Sequence, residues 1–443
     1  MKLPWILLMT IPLAWAADPP AAPVDLTLKH AVEVAISPQG NTNIQLSGET
    51  LKQAQARALQ ARAALLPDLE GAFTDRNQTA NLAAEGLTDI KLPFTGFSFP
   101  SFVGPFSTVD ARLSVQQSVF DFSSIRRFQA SRVGVSAATQ ELDSTAETVA
   151  AQVARAYLAA VRADADVETA IANVTLSGAV LTQADNQKKA GTGTGIEITR
   201  AKVQLANDRQ HLLVVENTRR STHLELLRAM GVPLETEVRL TDRLGYVPVD
   251  AVTMEQAKAQ ALQARPDLKA QQRREENARL SASAVKMERL PTLAAFGDYG
   301  SSGSALDNST PTRTYGITLK VPLFDGGRRD ARRTEAASLY RAERVRTGDL
   351  KQQIELDVRL ALDALRSAED QVKVAKEGLE LADSELTQAR RRYDAGVTNS
   401  LEVTDAQTRL ERARDNETQA LYNYNVARID LAQAMGNMRR SIP

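Results

Sequence analysis

The stretch that most constrains this chain runs from Leu323 to Gly436 without a proline; Pro322 precedes it, and the next proline is Pro443. Along it, Val358, Leu365, Val372, Leu379, Leu386 and Tyr393 recur every seven residues. A second line, Ile354, Ala361, Ala368, Ala375, Ala382 and Ala389, keeps the same spacing. Apolar residues seven apart make the seam of a coiled coil, and alanine on one line lets a facing backbone come close. The pattern breaks at Ala395-Gly396-Val397-Thr398-Asn399-Ser400. It resumes with Ala406, Ala413, Ala420, Ala427 and Ala434, beside Val403, Leu410, Tyr424 and Leu431. The spacing predicts a helix of roughly 65 residues, about 100 Å at 1.5 Å per residue, that turns sharply and returns. A hairpin that long has no globular core of its own and must pack sideways against other helices.

An earlier stretch has the same design. After Phe120-Asp121-Phe122 the chain is free of proline to about Lys189. Val153, Val167, Val174 and Leu181 lie on one heptad line; Ala156, Ala163, Ala170, Ser177 and Ala184 lie on the other. The run ends at Ala190-Gly191-Thr192-Gly193-Thr194-Gly195, and a second helix returns from Ile196 to Met230. Ahead of each hairpin a Leu-Pro pair, Leu66-Pro67 or Leu290-Pro291, stops a helix. Two strands follow each stop, at 69–77 and 109–120 and again at 293–301 and 314–323. Val109, Ala111, Leu113 and Val115 alternate with Asp110, Arg112, Ser114 and Gln116. Tyr315, Ile317, Leu319 and Val321 alternate with Gly316, Thr318 and Lys320. Period two gives each strand one apolar and one wet face.

The halves match at a nearly constant separation of 204 to 205 residues: Phe120-Asp121 with Phe324-Asp325, Ala190-Gly191 with Ala395-Gly396, and Ala229-Met230-Gly231 with Ala434-Met435-Gly436. Such regularity over a long span signals a tandem duplication. The first repeat is placed at 26–231, with its hairpin at 123–230, and the second at 254–436, with its hairpin at 327–436. A connector at 232–253 joins them and a tail occupies 437–443. The first inter-strand loop, 78–108, is the longer one and interleaves Phe94, Phe97, Phe99, Phe102 and Phe106 with Pro93, Pro100 and Pro105; it reads as an external lid or a membrane-interface patch.

Residues 1–16 have a basic head, an apolar run and the ending Ala14-Trp15-Ala16, the pattern of a secretory signal peptide. A Pro/Ala-rich leader at 17–25 is expected to be extended and mobile. No later run of 18 apolar residues suggests a transmembrane helix. The exported chain is then either soluble outside the inner membrane or embedded through its strands. Basic and acidic residues number 54 each, so the chain lacks the basic face that a nucleic-acid partner requires. The absence of cysteine excludes disulfides, thiolate metal sites and a lipid-modified N-terminal cysteine. His30, His211 and His223 are scattered and read as helix-surface residues. No nucleophile–base pair or metal cluster stands out, so no catalytic, cofactor-binding or metal site is expected, and the chain does not read as an enzyme.

Four strands per chain cannot close a barrel, for which eight or more are needed. Open edges cannot exist in lipid, because each unpaired backbone group costs several kcal/mol. Several chains must share one barrel, and three copies give a closed set of twelve strands. The expected fold is an α+β membrane protein: a trimeric twelve-stranded transmembrane β-barrel continuous with a long α-helical coiled-coil barrel.

At this point the order of elements resembles the TolC-like outer-membrane factors over the whole exported chain. The most specific stretch is Tyr393-Asp394-Ala395-Gly396-Val397-Thr398-Asn399-Ser400-Leu401-Glu402-Val403-Thr404-Asp405-Ala406, which is similar to the family's tip motif. The resemblance implies a homotrimer in outer-membrane lipid with a large periplasmic part. It further implies a passive exit duct of a tripartite efflux or type I secretion system, joined to an inner-membrane transporter through a periplasmic adaptor (membrane fusion) protein. It implies that Glu402 and Asp405 line the periplasmic mouth and that Tyr393 belongs to the polar links of the closed state, with Thr398 where an arginine is often found. From the residues themselves, Asn399 and Glu402 form a helix capping box, as Thr194 and Glu197 do in the first half, and Asp405 reads either as pore-lining or as part of a solvated outer face. Tyr393 is also the last member of a heptad line. Gly191, Gly193, Gly195 and Gly396 read as turn residues with positive φ. A periplasmic coiled-coil adaptor without a pore is the alternative function, disfavoured by the duplicated strand pairs.

Overall fold

A computed structural model describes residues 24–86, 99–249, 252–398 and 400–441. The expected signal peptide, most of the leader, Phe94, Phe97 and Asn399 lie outside the described residues. In chain order the elements are β1 (Val24–Leu26), α1 (Leu28–Ile36), α2 (Thr42–Ala63), β2 (Asp68–Ala80), β3 (Val103–Phe120), α3 (Phe122–Lys189) and α4 (Gly195–Met230). After them come β4 (Val238–Leu240), α5 (Met254–Ala264), α6 (Pro266–Met287), β5 (Thr292–Gly303), β6 (Ser309–Lys320), α7 (Arg328–Asp394), α8 (Ser400–Ala434) and α9 (Met438–Ser441). No helix among the described residues is long and apolar enough to cross a membrane. The chain forms two compact units.

One unit comprises Leu46–Thr145 and Glu255–Asp357. It is built on a four-stranded antiparallel sheet in the order β2-β3-β5-β6. Directly opposed residues share a face, and the register sorts the side chains. Asp110 stands opposite Thr74 and Ser302, and Ser114 opposite Glu70 and Asp298. Arg112, between them on this wet face, binds Asp110 at 2.8 Å and Asp298 at 2.5 Å. The other face carries Leu69, Phe73, Leu113, Val115, Tyr299, Tyr315, Ile317 and Leu319, all exposed. β2 and β6 are the two edges.

The strands differ from the expected bounds where pairing overrides alternation. Much of the expected loop 78–108 is sheet at its ends, since Gln78 pairs with Phe106 and Ala80 with Val103. The register shift there leaves room for Pro105, which has no N–H to donate. β6 starts at Ser309 and ends at Lys320, not at 314 and 323; Pro322 beyond it cannot join a ladder. The repeated Phe-Asp pairs start the long helices. Asp121 accepts from the backbone N–H groups of Ser123 and Ser124 at 2.9 and 3.2 Å, and Asp325 from that of Arg329 at 3.1 Å, the usual work of an N-cap carboxylate. In the same unit Arg265 joins Asp267 and Asp357 at 2.7 and 2.9 Å.

The second unit comprises the chain up to Gln45, Ala146–Met254 and the chain from Val358. β1 pairs in parallel with β4, and Asp25 holds Arg239 through both oxygens, at 2.7 and 2.9 Å. The last leader residues are therefore anchored, contrary to the expected mobility. Their anchor is Tyr157 of α3, fully buried, with its hydroxyl 2.9 Å from the Leu26 carbonyl and 2.8 Å from Asp242. Burial pushes the Tyr157 hydroxyl pKa upward, and Asp242 adds to the effect. Around it Val149, Ala150, Val153, Ala154, Leu158 and Ala160 are also buried, a wider stripe than two heptad lines. α3 is flanked on more than one side here: Arg155 reaches Asp430 of α8 at 2.6 Å, and Asp164 meets Arg219 of α4 at 2.7 Å. His223, expected on a helix surface, lies 3.0 Å from Asp164.

The α7–α8 seam is the predicted one. Val358, Val372, Leu386, Tyr393, Val403, Ala406, Leu410, Tyr424 and Leu431 are buried, whereas Ala375 and Leu379 are half-buried. The beginning of the expected tail is the helix α9, with Met438 buried and Arg439 bonded to Glu147 at 2.9 Å.

Candidate functional site at the hairpin tips

The two long helices end alike. Gly191 has φ 77° and Gly396 φ 71°, a left-handed turn that only glycine adopts cheaply. At each, the next residue's N–H reaches back a turn: Thr192 to the Gln187 carbonyl at 3.0 Å, Val397 to the Arg392 carbonyl at 2.9 Å. Gly193 and Gly195 do not have positive φ, which corrects the expectation that all four glycines are left-handed. Gly195 is the first residue of α4. Gly193 is small because a Cβ there would stand 2.9 Å from the Lys188 nitrogen. The capping box of Thr194 and Glu197 is present, with Thr194 N–H donating to the Glu197 carboxylate at 2.8 Å.

Tyr393 closes the seam. Its ring is buried in a cluster with Leu386, Ala389, Val403 and Ala406, and its hydroxyl donates to Gln187 Oε1 at 2.5 Å. Burial, with the negative charge of Glu197 next in weight, raises its pKa. Asp394 accepts from Gln183 of α3 at 2.8 Å. Both links join α7 to α3, so Tyr393 is a bridge as well as the end of a heptad line.

The two acidic residues differ. Glu402, half-buried in the first turn of α8, accepts from the Thr398 hydroxyl and pairs with Arg392 at 3.3 Å across the turn. Its other expected partner, Asn399, lies outside the described residues. Asp405 is exposed, with no hydrogen bond or ion pair among the described residues. The helix spacing puts both on one side, but of the two Asp405 has no basic partner among the described residues.

Sequence reasoning missed Arg392, Gln183 and Gln187. The constant offset pointed to one of them: Gln187 is the counterpart of Arg392, so the two tips carry different chemistry at the same place. Among the described residues, no group of three His, Cys, Asp or Glu side chains is arranged to hold a metal.

A sequence profile of the outer membrane efflux protein family matches residues 39–232 and 258–437. The pyoverdine export outer membrane protein OpmQ of Pseudomonas putida is 24% identical over 408 residues, 91% of this chain and 84% of its own length. The alkaline protease secretion protein AprF of Pseudomonas aeruginosa is 24% identical over 323 residues, 71% of this chain and 67% of its own. The crystal structure of the CmeC outer membrane channel of Campylobacter jejuni shares the fold, with a TM-score of 0.80 at 16% identity over 93% of this chain and 86% of that one. With the sheet, the long hairpins and the tip motif in place, the chain belongs to the outer membrane efflux protein family, as a TolC-like exit duct of the outer membrane.

Proposed function

We propose that three copies of this chain close a twelve-stranded transmembrane barrel, four strands from each, and that their hairpins form the α-helical barrel of a periplasmic duct. The observation that carries this is the unlike pair of faces on the β2-β3-β5-β6 sheet. Leu69, Phe73, Leu113, Val115, Tyr299, Tyr315, Ile317 and Leu319 all lie bare on one side. Such a patch is an aggregation hazard in water and at home in lipid. Asp110, Arg112 and Asp298 on the other side suit a wet lumen. The edges β2 and β6 would pair with those of neighbouring copies, which removes open backbone from the bilayer.

The tip residues Tyr393, Glu402 and Asp405 would form the periplasmic gate, with Gly191, Gly195 and Gly396 shaping its turns. A periplasmic adaptor and an inner-membrane transporter would complete the pathway, as in a tripartite efflux or type I secretion system. Relatives named for pyoverdine export and for alkaline protease secretion support an exit role common to both. The tandem duplication is favoured by the repeated order β2-β3-α3-α4 and β5-β6-α7-α8 and by the two separate profile matches. The repeats at 26–231 and 254–436 and the connector at 232–253 are read on the same grounds.

The test is the mass of the detergent-extracted particle, measured with its β-sheet circular dichroism. Three chains per particle, and ion conductance in a planar bilayer, are expected. A single-chain particle with intact sheet signal overturns the reading.

A further inference from the structure

In the unit that carries the sheet, only Asp121 separates the end of β3 from α3, a short loop separates β6 from α7, and both junctions expose large apolar side chains. Leu323 is 91% exposed and Phe324 90%. Phe120, Phe122 and Ile125 are exposed as well, with the two phenylalanine rings edge to face at 5.0 Å. Immediately beyond lie the arginines. Segments 121–132, 286–290 and 325–333 hold nine Lys or Arg against four Asp or Glu, in a chain otherwise balanced at 54 and 54.

The ends of α3, α6 and α7 are drawn together by one carboxylate. Glu288 binds Arg127 of α3 at 2.5 Å and Arg332 of α7 at 2.8 Å. Arg289 pairs with Asp330, and Arg329 with Asp325 at 3.3 Å. Asp121 is engaged by the backbone of Ser123 and Ser124. All four carboxylates are thus occupied. Stitching helices together accounts for Arg127, Arg289 and Arg332, and Arg329 reaches back to Asp325 just ahead of its own helix. That leaves Arg132, Lys286, Arg328 and Arg333 exposed, with no carboxylate partner among the described residues; of these, Arg328 and Arg333 lie in the first two turns of α7, next to Leu323 and Phe324.

We propose that this collar binds the phosphate groups of anionic phospholipids, with Arg328 and Arg333 as the principal contacts. The planar guanidinium fork matches a phosphate. The order along the chain is that of a bilayer boundary: exposed Ile317 and Leu319 on the strand, then Leu323 and Phe324, then the arginines. Apolar and aromatic side chains settle at the edge of the hydrocarbon while cationic heads reach the phosphates. The proposal rests on the barrel reading, and the lipid is then that of the inner leaflet, where the periplasmic helices emerge.

The experiment uses the full protein and the double variant Arg328→Gln/Arg333→Gln. Each is incorporated into vesicles of phosphatidylcholine, with or without phosphatidylglycerol, then extracted in detergent, and the lipid retained per particle is counted by mass spectrometry. The parent is expected to retain phosphatidylglycerol over phosphatidylcholine, by a preference that weakens with salt. The variant should lose roughly fivefold of that preference per arginine, while still inserting into phosphatidylcholine and melting as the parent does. Equal retention of the two lipids by an inserted parent, or an unchanged preference in the variant, overturns the collar. Displacement of the lipid by inorganic phosphate at matched ionic strength would mark a free-anion site and also overturns it. Failure of the parent to insert into either vesicle overturns the barrel reading, and this proposal with it.

Discussion

Tyr393 donates its hydroxyl to Gln187 Oε1 at 2.5 Å, tying the last turn of α7 to the last turn of α3. Together with the Gln183–Asp394 bond at 2.8 Å, this contact joins the two hairpins at their tips, where the gate is proposed. Removing that oxygen alone, in Tyr393→Phe, should cost about 1 kcal/mol. Removing the ring, in Tyr393→Ala, should cost about 3–5 kcal/mol because the ring fills the tip core. In planar bilayers Tyr393→Phe should open spontaneously more often than the parent. Unchanged opening would show that the bridge is structural only.

Glu402 and Asp405 should separate in their effects. Glu402 is paired with Arg392 at 3.3 Å and held by Thr398, whereas Asp405 is exposed and has no partner among the described residues. In the proposed trimer, three copies of such a carboxylate around the pore axis would attract cations. Asp405→Asn should therefore lower cation selectivity and weaken block by multivalent cations from the periplasmic side, and Glu402→Gln should do less. Reversal potentials in a salt gradient measure this. Identical selectivity in Asp405→Asn and parent would remove Asp405 from the pore.

Overpacking the alanine line should hurt in proportion to burial. Ala406 is fully buried and Ala375 only half-buried. Ala406→Leu should destabilise by about 1–3 kcal/mol, and Ala375→Leu by less. Melting temperatures of the two variants in one detergent decide it; the reverse order would mean that Ala375 faces a neighbouring copy.

Glu411 gives a pH dependence. Burial pushes its carboxyl pKa up to about 7, helped by the charges of Asp208 and Asp415 and opposed by Arg414. The folded value lies above the ordinary 4.5, so the folded chain holds this proton more tightly than the unfolded one. The contribution is fully present below about pH 4.5 and is lost as pH rises through 7. Glu411→Gln should then raise stability at pH 8 by roughly 1–2 kcal/mol, after allowance for partial solvent screening, and change little at pH 4. Melting curves of both proteins across this range test it; a variant that gains nothing at pH 8 contradicts the assignment.

The sequence by itself determined the hairpins, the strands and the family. A seven-residue repeat, a period-two alternation and a Leu-Pro stop are local signals, each fixed by the geometry of one helix or strand. Tyr393 was legible in this way as the end of a heptad line, and Asp405 as an acidic residue just past the turn. Only the tertiary structure decided what those residues meet. Tyr393 finds Gln187 at a separation of 206 residues, and Asp25 finds Arg239 at 214. No periodicity encodes such partners. The sheet reached into the expected loop because β3 offered Gln78 and Ala80 their pairs, and the leader's end became a strand because β4 lay beside it. Glu402, read as a capping residue at the mouth, gains a charge partner because the turn at Gly396 brings Arg392 back to it. Periodicity fixes which face of an element is apolar; the partner of a charge or a backbone edge depends on which distant segment the fold brings alongside.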